Sequence, residues 1–184
     1  MLRIESLNKS FAAPVLRDFS HRFPEKGIVL LKGASGGGKT TLLRLIAGLE
    51  KPDSGRILLP EGAKISMVFQ EARLVPNLTV SENLLLVAPE KDKKEAEEIL
   101  FSLGLSDAFS LFPAALSGGM KERVNLARSI FYGGTIYLWD EPTKELDEEN
   151  AKKVIEWMKK LSQNALVIAA THDEAVPGDE VIEL

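Results

Sequence analysis

The chain has 184 residues, 45% of them apolar and 27% charged, a balance that fits one folded globular domain and excludes a disordered or fibrous protein. It has no cysteine, so disulfides, thiolate metal centres and a cysteine nucleophile are excluded as well. The net charge of −4 offers no overall basic surface, so no nucleic-acid partner is expected.

Residues 1–30 alternate apolar and polar positions (Leu2, Ile4; Val15, then Phe19 and Phe23), which predicts half-exposed antiparallel strands. Ile28 to Leu31 is an unbroken apolar run, as in a strand buried on both faces. A glycine-rich loop follows, then a predicted helix from Thr40 to Ala47, stopped at Gly48. Pro52-Asp53-Ser54-Gly55 reads as a turn, and Ile65 to Phe69 as a short strand. From Thr79 to about Gly104 the pattern is helical, with Ser81 and Glu82 as the start signal. Ile99, Leu100 and Leu103 lie opposite a charged face.

Pro113 interrupts that stretch, and a further helix is predicted from about Gly119 to Phe131 on the stripe Val124, Ala127, Ile130 and Phe131. Ile136 to Trp139 predicts a buried strand. Glu148 to Leu161 predicts an amphipathic helix, with acids at its start and lysines near its end. Leu166 to Ala170 and Val181 to Leu184 are the last predicted strands. Strands alternating with helices predict an α/β fold around a mainly parallel sheet, with an N-terminal antiparallel β subdomain and an inserted helical one. The expected division is a core of about 1–75 and 132–184 and a helical subdomain of about 76–131, within a single domain. The amino terminus lacks the apolar core of a signal peptide, and no apolar run is long enough to span a bilayer.

Gly33-Ala34-Ser35-Gly36-Gly37-Gly38-Lys39-Thr40 matches G-x-x-x-x-G-K-[ST], the Walker A pattern of P-loop NTPases, between a buried strand and a helix start. Glycines let main-chain N–H groups close around phosphates, and the helix end adds partial positive charge. Lys39 would bring a full charge to the outer phosphates, Thr40 a hydroxyl for Mg²⁺, and Thr41 belongs to the same cradle. About a hundred residues on, Asp140 and Glu141 end a buried strand, where open α/β sheets hold their ligands. One carboxylate suits a metal ion, and the next suits a water aimed at the γ-phosphate.

Leu116-Ser117-Gly118-Gly119-Met120 starts a predicted helix that Ser117 caps, leaving the amides of Gly118 and Gly119 open to an anion. The segment resembles the LSGGQ signature of the ATP-binding cassette (ABC) ATPases. In that family it closes over ATP held by the P-loop of a second subunit. Other marks of the resemblance fall in order. Gln70 is similar to the glutamine that touches Mg²⁺ and the attacking water, and the stretch after it faces the membrane partner in the family. His172, just past a buried strand, resembles the switch histidine that contacts the γ-phosphate, whereas His21 reads as structural. Phe11 resembles the aromatic that stacks on adenine, with an ordinary core aromatic as the other reading. Leu146-Asp147 resembles the end of the D-loop, although Lys144-Glu145 stand where small residues are usual.

The resemblance runs from Leu2 to Leu184 and implies an Mg²⁺-dependent ATPase that drives transport. Its partners would be transmembrane permease subunits, with a homodimer or a paired ABC subunit in the ATP-bound state. Its expected place is cytoplasmic, peripheral on the inner face of the cell membrane. A non-transport ABC-type ATPase and a regulatory nucleotide-binding module are the alternatives. Met120 in place of glutamine, and the run Val68 to Pro76, are similar to cassettes of nitrate, sulfonate and taurine importers. The chain closes soon after its last strand, so no carboxyl-terminal regulatory domain is expected.

Overall fold

A computed structural model describes all 184 residues. In chain order the strands are β1 (Arg3–Ser10), β2 (Pro14–Arg22), β3 (Gly27–Lys32), β4 (Ser54–Leu58), β5 (Ile65–Val68), β6 (Ile136–Asp140), β7 (Leu166–Ala170) and β8 (Glu180–Glu183). The helices are α1 (Lys39–Ile46), α2 (Val80–Leu85), α3 (Lys93–Ser102), α4 (Gly118–Tyr132) and α5 (Glu148–Ser162). β2, β1 and β4 form an antiparallel sheet in that order. The other five strands form a parallel sheet in the order β5-β6-β7-β3-β8.

The period of two along a strand divides the interior into two cores, one on each face of the parallel sheet. Ile28, Leu30, Tyr137, Trp139, Val167 and Ala169 face a core shared with α2, α3, α4 and α5. Their neighbours Val29, Leu31, Ile136, Leu138 and Ile168 face the other core, where Leu42, Leu43, Leu45 and Ile46 of α1 meet Leu2, Ile4, Leu7 and Phe23 of the antiparallel sheet. β6 and β7 are buried along their whole length, which is why they read as unbroken apolar runs. The P-loop NTPase architecture expected from the motifs is therefore present: a mainly parallel sheet, an antiparallel sheet at the amino end and helices between β5 and β6.

Two local readings of the sequence need correction. The segment read as a turn at Pro52–Gly55 leads directly into β4, which the alternation pattern did not expose. Gly55 sits at φ 83 inside that strand, and a β-carbon there would run into the main-chain carbonyl of Ser6. Its absence lets β4 approach β1, so the glycine serves pairing rather than reversal. The helical stretch after Thr79 holds two helices, and its cap lies two residues before Ser81. Thr79 is the true cap of α2: its hydroxyl accepts the Glu82 N–H, and the Glu82 carboxylate accepts the Thr79 N–H at 2.7 Å. Ser81, read as the start signal, is buried in the first turn. Pro89 separates α2 from α3, which begins anew on the Asp92 cap.

Candidate nucleotide site

The loop between β3 and α1 is shaped by residues that tolerate left-handed backbone. Gly33, Gly36 and Gly38 have φ of 130, 81 and 100. Gly38 caps α1 with no side chain, and a β-carbon there would lie 2.9 Å from Val15. Lys39 is the first residue of α1 and only 7% exposed. Its ammonium donates to the main-chain carbonyls of Gly33 (2.8 Å) and Ala34 (3.0 Å), so it folds back along its own loop. A buried cation held by two carbonyls is a charge ready for a stronger acceptor.

Across from the loop, the carboxyl ends of β6 and β7 supply the acidic side. Asp140 is buried at the end of β6. Burial pushes its carboxyl above the usual range and the neighbouring Glu141 charge adds to this, while the Thr40 hydroxyl and Lys39 act the other way. Glu141 has left-handed backbone at φ 52, and its N–H donates to the Ala170 carbonyl at 2.8 Å, which stitches the strand ends together. Its carboxylate accepts from the His172 N–H at 3.4 Å, and the other oxygen is 3.7 Å from His172 Nε2. The Thr143 hydroxyl donates to Asp173 at 2.8 Å, bracing the loop that carries Glu141 against the one that carries His172. Lys32 Nζ donates to the Asp173 carbonyl at 3.1 Å. Neither Thr143 nor Asp173 was singled out from the sequence; their only signal is that each stands within two residues of a candidate.

Gln70 follows β5, and α4 grips both sides of it. Asn125 Nδ2 donates to the Phe69 carbonyl at 3.2 Å, and Arg128 donates to the Arg73 carbonyl at 2.7 Å. Ser35, Gly36, Gly38, Lys39, Thr40, Thr41, Gln70, Asp140, Glu141 and His172 thus meet around one open cleft of about 190 Å³, joined by Val15. Gly33, Ala34 and Gly37 shape the loop behind it.

Four expected residues lie outside that cleft. Phe11 is 59% exposed between β1 and β2, with the Lys9 ammonium 4.9 Å from its ring centre, so the core reading fails. Ser117 caps α4 by accepting the Met120 N–H at 3.3 Å, and Gly118 and Gly119 open that helix towards solvent. His21, read as structural, packs edge-on against Phe23, with its Nε2 3.0 Å from a Glu180 carboxylate oxygen.

A glycine loop after a parallel strand, a buried lysine and two carboxylates at the carboxyl end of β6, two places away in the sheet, define a P-loop nucleotide-binding protein. The comparisons narrow this. Residues 16–144 match the ABC transporter family. The chain is 42% identical to an aliphatic sulfonates import ATP-binding protein, SsuB, of Zymomonas mobilis, over 100% of this chain and 81% of that one. It is 37% identical to the arginine transport ATP-binding protein ArtM of Bacillus subtilis, over 94% and 81% of the two chains. Among solved structures, a dimeric ATP-binding cassette in a post-hydrolysis state with ADP and Pi superposes with a TM-score of 0.88. It is 28% identical over 100% of this chain and 94% of that one. The chain belongs to the ABC transporter family, as an ATP-binding and ATP-hydrolysing subunit.

Proposed function

We propose that this chain acts as one half of an ATP sandwich that powers import through transmembrane permease subunits, from the inner face of the membrane. The observation that carries this is the split between two surfaces. Lys39, Thr40, Gln70, Asp140, Glu141 and His172 share one cleft, whereas the open amides of Gly118 and Gly119 lie away from it. In a dimer of such halves, the second surface of each copy reaches the γ-phosphate held in the first surface of the other. Phe11, exposed four residues before the cleft's Val15, would stack on adenine.

The Thr40 hydroxyl, the Gln70 amide oxygen and the Asp140 carboxylate are hard oxygen donors, a set that fits Mg²⁺ arriving with the phosphates. When bound, the ion would neutralise phosphate charge. Lys39 would turn from its loop carbonyls to the outer phosphates. Glu141 would orient and deprotonate the attacking water, with His172 beside it steadying the γ-phosphate.

No helix of the chain is long and apolar enough to cross a membrane; in this reading the transport path lies in partner subunits. Val75 and Leu86, exposed in the stretch after Gln70, mark the side that would meet them. The division into a core of about 1–75 and 132–184 and a helical subdomain of about 76–131 is part of this reading. It is supported by the packing of α2, α3 and α4 on one another. Similarity to sulfonate, arginine and hemin transport proteins favours import.

Glu141→Gln tests the proposal. Turnover should fall by about 100-fold or more, while ATP drives the variant into a long-lived dimer visible by size-exclusion chromatography with light scattering. Undiminished turnover would remove Glu141 from the chemistry.

A further inference from the structure

The two helix-end amides of the second surface have an unexpected neighbour. Ser117 spends its hydroxyl on the Met120 N–H and its carbonyl on the Lys121 N–H. The N–H groups of Gly118 and Gly119 bond to nothing in the chain, as the first turn of a helix dictates. Beside them runs the loop after Glu141. Glu145 there has left-handed backbone at φ 62, an uncommon state for a residue with a side chain. Its carboxylate Oε2 is 3.5 Å from where a β-carbon on Gly118 would lie, and its carbonyl oxygen is 3.3 Å from the same point on Gly119.

That carboxylate is exposed, and none of the chain's ion pairs includes it. Lys144 next to it acts on Asp140 and Glu122. Glu122, one turn into α4, is pushed up by burial first; the Glu145 charge adds to this and Lys144 opposes it, while the Arg123 guanidinium at the same helix end is engaged with the Gly119 carbonyl at 3.2 Å. An anion beside open helix-end amides is a favourable arrangement in the isolated chain. It is an unfavourable one for a second anion that must use the same amides.

We propose that Glu145 is a built-in brake on closure of the ATP sandwich. Its carboxylate charge stands beside Gly118 at the open helix end and repels the γ-phosphate brought by the other copy. The inference rests on the sandwich reading above and adds a residue that sets how much ATP closure requires. Each dimer carries the brake twice, once at each nucleotide. It acts through charge and position.

The test uses the full chain carrying Glu141→Gln, so that ATP is bound but not consumed, with Glu145 intact or changed to Gln or Ala. Glu145→Gln keeps the length and backbone preference and removes only the charge. Dimer formation is followed by analytical ultracentrifugation across an ATP titration, and binding to the monomer with a fluorescent ATP analogue. Both variants should reach half-maximal closure at about tenfold less ATP, the scale of one close charge pair near a protein surface. Monomer affinity should stay unchanged, and the gap should narrow as salt is raised, since exposed charges are screened. Equal or greater ATP demand in Glu145→Gln overturns the brake, as does a gap that salt leaves untouched. If no protein in the series forms an ATP-dependent dimer, the sandwich reading falls, and the brake with it.

Discussion

α1 and α4 both begin at glycines and both leave main-chain amides open, yet the chain furnishes the two ends in opposite ways. At α1 the cap is Gly38 in left-handed backbone with no side-chain hydrogen bond, and the loop in front bends back on itself through Gly37 N–H to the Ala34 carbonyl. A buried lysine, two carboxylates and a histidine are already gathered there. At α4 a serine side chain satisfies one amide, the surface is exposed, the Arg123 guanidinium donates to the Gly119 carbonyl at 3.2 Å, and the carboxylate of Glu145 stands beside Gly118. One end holds its own counter-charge and its own chemistry. The other gathers no such acidic and basic set around its open amides; in the proposed sandwich a second copy would bring it the anion.

The largest effect that tests this contrast comes from the charged end. Lys39→Ala deletes the only full positive charge aimed along the loop and leaves the Gly33 and Ala34 carbonyls without their donor. Nucleotide affinity of the monomer should fall about 100-fold, the scale for truncating one member of a buried, hydrogen-bonded charge pair. Titration with a fluorescent ATP analogue measures it, and wild-type affinity would contradict the assignment of α1 as the phosphate end. A smaller and different effect belongs to α4. Ser117→Ala removes the cap on Met120 N–H, which costs about 1 kcal/mol of stability. It should raise the ATP needed for dimer formation several-fold while leaving monomer affinity intact. If monomer affinity fell as it does for Lys39→Ala, the two ends would not be separate surfaces.

Much of this was readable from the sequence because the two sites are built from local rules. A buried strand, a glycine loop and a helix start need no long-range information, and Ile28 to Thr40 states all three in order. The same holds for Ser117 as a cap and for Asp140 and Glu141 at the end of an apolar run. What escaped depended on contacts between distant segments. β4 was hidden because Gly55 looks like turn punctuation until Ser6 is seen to press against it. Thr143 and Asp173 are 30 positions apart, and only the fold makes them a brace. Phe11 could be placed in the core or at the surface by pattern alone; its exposure decided the matter. Glu145 was noticed only as a departure from small residues, and nothing in its own segment says that it stands beside Gly118.

The smallest effect concerns what the finished site costs the fold. Asp140 is 4% exposed, and burial with the adjacent Glu141 raises its pKa in the folded chain. A carboxyl whose folded pKa lies above its unfolded value destabilises the protein at pH above the folded pKa. The penalty shrinks as pH falls through that value and is gone below the unfolded one, about 3.9. Asp140→Asn should therefore raise the melting temperature of the nucleotide-free chain at pH 7 by about 2–4 °C, the shift that about 1 kcal/mol produces in a chain of this size. The gain should vanish below about pH 4, and turnover should be lost throughout. The exposed α4 end carries no comparable burial penalty, so Glu145→Gln should give no such rise in melting temperature at pH 7. A fall in melting temperature for Asp140→Asn would mean that the Thr40 and Lys39 interactions outweigh burial, and the charged end would then support the fold as well as the chemistry.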